Sequence, residues 1–173
     1  INLYCQQTYD ANFPNTALIK DIKSIKQKDI KEKIPDHDIL LAGFPCQPFS
    51  KAGVSKRKSL KMKLGLEDKK QGDLFFNILK IINKKKPKAF ILENVENLKT
   101  YSDGSVLEKI LKGLRQYYYV PTPEIIDAQD FGLAQRRKRI FIVGFLDKNS
   151  DFKYPEPTYE KTKVAYFLDK YPK

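Results

Sequence analysis

Apolar residues in the first two thirds of the chain fall into two alternating patterns. Asp38-Ile-Leu-Leu-Ala-Gly43 and Lys88-Ala-Phe-Ile-Leu-Glu93 are short continuous apolar runs bounded by Pro or Gly, the pattern of strands in a parallel sheet covered on both faces. Between them, Leu74, Phe75, Ile78, Leu79, Ile81 and Ile82 recur at helical spacing after Gly72-Asp73, with Lys84-Lys85-Lys86 in the last turn and Pro87 as a stop. These pieces predict a βαβ unit, whose right-handed crossover sets the two strands parallel with their carboxyl ends on one edge. A second helix is predicted from about Ser105 to Gln116, with Val106, Ile110, Leu111 and Leu114 on one face, followed by strands over roughly Tyr118 to Ile126 and Arg139 to Leu146. After Asp147 the chain turns polar and proline-rich, so residues 1–146 are expected to form the domain and 147–173 a tail or linker in which only Val164 to Leu168 can pack. The expected class is therefore α/β, with a mostly parallel twisted sheet and flanking helices.

With 173 residues the chain is long enough for one domain with a full core. Its 33 lysines and arginines against 21 acids give a net charge of +12, which suits a polyanionic partner such as nucleic acid, although a lysine-rich composition alone produces the same number. Half of that charge lies in Lys51 to Lys70, where eight basic side chains meet only Glu67 and Asp68. Gly53, Gly65 and scattered serines make this stretch a long loop, either functional or a solvated insertion. Two cysteines, Cys5 and Cys46, form neither a disulfide framework nor a metal-ligand set, which suits a reducing, cytoplasmic setting without a metal. His37, the one histidine, sits in a polar turn sequence, so a histidine-based triad is not available. The longest apolar run, Ile140 to Leu146, is too short to cross a bilayer. The chain starts with Ile1 rather than Met and is expected to be cut from something longer.

Cys46 stands in Gly43-Phe-Pro-Cys-Gln-Pro-Phe-Ser50, directly after the first strand, where open α/β sheets bind ligands. On its own it is either a nucleophile or a buried structural thiol. Glu93 comes at the end of the neighbouring predicted strand, so a thiol and a carboxyl share one crevice. That pairing suits addition to an electron-poor ring, the thiolate attacking carbon while a carboxylic acid donates to a ring nitrogen. Burial in an apolar crevice would keep Glu93 protonated for that task, whereas an acid at a strand end also serves as a helix cap. Gln135-Arg136-Arg137-Lys138-Arg139 leads into the last strand, so Arg137 and Arg139 share a face, as a phosphate or base clamp or as a basic edge.

Taken in order, Gly43-Phe-Pro-Cys-Gln47, Glu93-Asn94-Val95 and Gln135-x-Arg137-x-Arg139 resemble the DNA cytosine-5 methyltransferase family. The segment Gly65 to Phe76 resembles the intervening motif, with Lys-Lys-Gln where an arginine is often found, and Lys163 to Asp169 resembles the lead-in to a target-recognition region. The resemblance implies a Rossmann-like S-adenosylmethionine-dependent methyltransferase fold and methylation of a base flipped out of double-stranded DNA. It implies that Cys46 adds to C6 of cytosine, that Glu93 holds N3, that Arg139 reaches the base and that Arg137 supports the site. It places S-adenosylmethionine against Ile1, Asp21, Ile22, Pro45 and Leu74, and nucleic acid against Gln47, Ser50, Arg57 and Lys58 within or beside a loop that closes over DNA. The family's opening glycine-rich turn, its target-recognition domain and its last motifs have no counterpart here. A fold truncated at both ends is therefore expected, a partial catalytic domain over 1–146, inactive alone unless missing segments or a second chain complete it. The tRNA-methylating branch of the family and a non-catalytic nucleic-acid-binding module are the alternatives.

Overall fold

The computed structural model describes residues 2–16, 21–45, 72–160 and 162–166. Helix α1 (Leu3–Asn12) starts at Asn2, whose side chain accepts from the Tyr4 amide at 2.9 Å, and none of its residues is buried. Two 3-10 turns, Ile22–Ser24 and Gln27–Asp29, lead into the short helix α2 (Ile30–Lys33). Strand β1 (Ile39–Gly43), helix α3 (Gly72–Lys85) and strand β2 (Ala89–Val95) follow, then helix α4 (Ser105–Arg115) and strands β3 (Glu124–Asp127) and β4 (Lys138–Phe145).

The sheet order is β1-β2-β4-β3. β1 and β2 pair in parallel with Gly43 opposite Glu93, and β4 runs antiparallel to both β2 and β3. Three strands thus point one way, and β4 is wedged between two of them in the opposite sense. The connection from β3 to β4 is short and holds a 3-10 turn at Ala128–Phe131, which suits an antiparallel return; a parallel return would need a longer crossover.

One face of the sheet carries the core. Phe90, Leu92, Ile140 and Ile142 point to α3 and α4 and are fully buried with Phe75, Ile82, Ile110 and Leu114. Each such side chain contributes roughly 1.5–3 kcal/mol on leaving water. The expected apolar stripes therefore become the faces that meet the sheet, with Leu107 joining Val106, Ile110, Leu111 and Leu114 in α4. Gly113 lets α4 approach α3, since a Cβ there would lie 3.0 Å from Leu79. Gly144 likewise leaves the space that the Phe90 ring fills. Tyr118 stacks edge-on against Phe90 and donates its hydroxyl to the Pro87 carbonyl at 2.9 Å, and burial pushes its pKa up to about 12. A second cluster, Ile25, Ile30 and Ile81, fixes α2 and the preceding turns on the outside of α3.

Two differences in element boundaries bear on the site. β2 extends past Glu93 to Val95, so Glu93 lies inside the strand. The third strand is confined to Glu124–Asp127 because Pro121 and Pro123 have no amide to give to a ladder; upstream only Tyr119 bridges to Phe145. Beyond β4 the chain lies against the strand it has just left. Phe152 packs on Phe145 with centroids 5.2 Å apart, and the Tyr154 hydroxyl donates to the Phe141 carbonyl at 3.0 Å. The Tyr159 amide then donates to the Asp130 carbonyl at 2.9 Å. Of the apolar segment expected to pack, Val164–Tyr166 forms a 3-10 turn and the rest lies outside the described residues.

Candidate active site

Side chains alternate along β2, so Glu93 faces away from α3 and α4 while its neighbours Leu92 and Asn94 are buried beneath it. Phe141 is directly opposite Glu93 in β4, which places Arg139 at the diagonal position on the same face. The Arg139 Nε donates to Glu93 Oε1 at 2.8 Å, and the Arg137 guanidinium comes within 4.0 Å of the same oxygen. The Glu93 side chain is one third exposed. Among the described residues, the apolar crevice expected around Glu93 is thus a polar, guanidinium-lined opening, because the described helices α3 and α4 pack on the other face of the sheet. On its other side a Cβ at Gly43 would lie 3.3 Å from Glu93 Oε2. Glycine at this position gives the carboxylate its room beside the end of β1.

Asn94 performs a different task. Its carboxamide is buried, donates to the Phe44 carbonyl at 3.1 Å and accepts from the Val95 amide at 2.9 Å. It ties the backbone that follows β1 to the end of β2. The Phe44 ring is itself buried against Phe75 of α3, 5.6 Å between centroids. Pro45 is the last described residue of this turn, half-buried. Cys46, Gln47, Ser50, Arg57 and Lys58 lie outside the described residues, as does Ile1.

Asp21 and Ile22 open the 3-10 turn Ile22–Ser24. Asp21 caps it, its side chain accepting from the Lys23 amide at 2.9 Å, and Ile22 packs into both apolar clusters. The turn sits against α3, the helix that carries the partly buried Leu74. An exposed carboxylate acceptor beside an apolar side chain fits an amine-bearing heterocycle such as adenine.

Two residues outside the expected set shape the site. Asn94 enters the sequence reading only as part of a motif, and Asp127 does not enter it. Asp127, at the end of β3, is buried, and its Oδ1 accepts from the Arg137 amide at 2.8 Å and the Gln129 amide at 3.3 Å. The available signal was an Asp just ahead of a short polar turn, a frequent Asx-turn former. Among the described residues no helix is long and apolar enough to cross a membrane.

The family model of the C-5 cytosine-specific DNA methylases matches residues 1–172. Type II methyltransferase M.NlaX of Neisseria lactamica is 45% identical over 99% of this chain, which covers 51% of that protein. Type II methyltransferase M.NgoBI of Neisseria gonorrhoeae is 48% identical over 96% of the chain, covering 48% of that protein. The chain therefore spans about half the length of these relatives. The solved Entamoeba histolytica methyltransferase EhMeth superposes with a TM-score of 0.67 at 22% identity, over 100% of this chain and 51% of its own. That likeness shows the fold, a mixed sheet with flanking helices of the Rossmann-like methyltransferase kind.

Proposed function

The chain belongs to the C-5 cytosine-specific DNA methylase family, and from that premise we propose that the protein methylates C5 of cytosine in double-stranded DNA, in the cytoplasm, with S-adenosylmethionine as methyl donor. When bound, S-adenosylmethionine supplies an electrophilic methyl group on sulfur. Asp21, Ile22, Pro45, Leu74 and Ile1 would hold it, with Asp21 as the acceptor for an exocyclic amine. Cys46, as thiolate, forms a bond to C6 of the extruded cytosine, and the displaced ring electrons make C5 the nucleophile toward the methyl group. Loss of the C5 proton then lets the C6–S bond break and returns the thiolate.

Glu93, after taking up a proton from solvent, delivers it to N3 as Cys46 adds and recovers it on elimination. Arg139 orients Glu93 through Nε and turns Nη2 to the base, its Nη1 donating to the Lys138 carbonyl at 2.7 Å, and Arg137 backs both. Gln47, Ser50, Arg57 and Lys58 contact the DNA, and the basic stretch Lys51 to Lys70 closes over it and excludes water. The single observation that carries the reading is the placement of Glu93, in register with the end of the strand that leads to Cys46 and paired with Arg139 at 2.8 Å. The type II names of the relatives support duplex DNA over tRNA as the substrate.

The test is transfer of isotope-labelled methyl from S-adenosylmethionine to duplex DNA and to tRNA by the intact protein. Label recovered as 5-methylcytosine in DNA is the expected result. Label in tRNA alone would move the protein to the tRNA branch, and DNA binding with label in neither polymer would leave a binding module.

A further inference from the structure

We propose that Asp127 is a positioning residue that sets the two arginines against Glu93, an inference that rests on the methyltransferase reading above. Asp127 is 8% exposed and its Oδ1 accepts from the amide of Arg137 at 2.8 Å. Residues 128–136 therefore form a connection closed at its base by one side-chain acceptor. A backbone bond at the same place, Ala128 amide to Arg137 carbonyl at 3.1 Å, starts the β3–β4 ladder in which Asp127 lies opposite Lys138. Together they fix the backbone of Arg137 and the register of β4. Register decides which face each side chain takes, and a one-residue slip would turn Arg139 away from Glu93. The turn is also held from outside, since the Asp130 carbonyl accepts from the Tyr159 amide at 2.9 Å. Asp127 is the side chain of this arrangement that bonds Arg137, where Ala128 bonds it through backbone alone.

The role requires an acceptor oxygen at the Oδ1 position and no negative charge, so the amide of Asp127→Asn should serve and the methyl of Asp127→Ala should not. In the intact protein, Asp127→Ala should lower kcat for methyl transfer about tenfold with KM for DNA within about twofold, and Asp127→Asn should stay within about twofold of the parent in both. A mutant cycle with the Arg137→Ala/Arg139→Ala double variant separates positioning from simple destabilisation. Asp127→Ala should cost little further rate once both arginines are truncated, because it acts through those two side chains. Full additivity in the cycle, or an Asp127→Asn variant as slow as Asp127→Ala, would overturn the proposal. Hydrogen exchange at the Arg137 amide supplies a readout independent of catalysis. Exchange should rise selectively in Asp127→Ala while the β2–β4 amides stay protected, and unchanged protection would overturn the proposal too. Should the parent itself transfer no methyl group, the function assigned above fails, while exchange still decides whether Asp127 holds Arg137.

Discussion

The two faces of β2 carry the same backbone and opposite duties. Toward the helices, Phe90 and Leu92 are fully buried and Asn94 is buried with its carboxamide satisfied. Away from them, Ile91 is 38% exposed and Glu93 one third exposed, held by Arg139 rather than by packing. A period of two lets a single strand hold the fold with one set of side chains and present chemistry with the other. Stability and reactivity should therefore be separable at adjacent positions, and the first pair of substitutions tests that.

Glu93→Gln should reduce methyl transfer by roughly 10²–10⁴-fold, the usual range for losing a proton donor. It should change unfolding stability by less than about 1 kcal/mol, since only a partly exposed ion pair is lost. Leu92→Ala, one residue away, should lose about 2–5 kcal/mol of stability in denaturant unfolding. Its rate per folded molecule should change far less. A Glu93→Gln variant that unfolds as readily as Leu92→Ala would erase the division between the faces. The smallest effect concerns Tyr118, packed on Phe90, whose pKa is pushed up to about 12 from 10 by burial. The neutral phenol is favoured in the fold, so its contribution is complete below about pH 10 and lost as pH rises through about 12. Unfolding of Tyr118→Phe should show less alkaline loss over that window than the parent.

Where short apolar runs and helical spacing decide the outcome, the fold was legible. β1, β2, α3 and α4 come from such patterns, and their ends move by a residue or two because strand pairing, not composition, sets where a ladder stops. Tyr118 to Val120 read as strand, yet Pro121 and Pro123 confine the ladder to four residues beyond them. Alternation along β4 was enough to put Arg137 and Arg139 on one face. Their shared target depends on the β2–β4 register, which a periodic pattern does not specify. The roles of Asn94 and Asp127 were illegible for a related reason. A buried carboxamide or carboxylate is defined by its partner, and the partner of Asn94 is a carbonyl fifty residues earlier in the chain. The polar surroundings of Glu93 were missed because the expectation treated its strand as covered on both faces, whereas the described residues cover one.

The central claim is that Cys46 attacks the base that Glu93 holds, and covalent trapping tests it most directly. Duplex DNA containing 5-fluorocytosine, incubated with the intact protein and S-adenosylmethionine, blocks the final proton loss and should leave a stable protein–DNA adduct. Peptide mass spectrometry should place the adduct on Cys46, and Cys46→Ser should abolish it while DNA binding is kept. An adduct mapped to another residue, or one that persists in Cys46→Ser, would contradict the account.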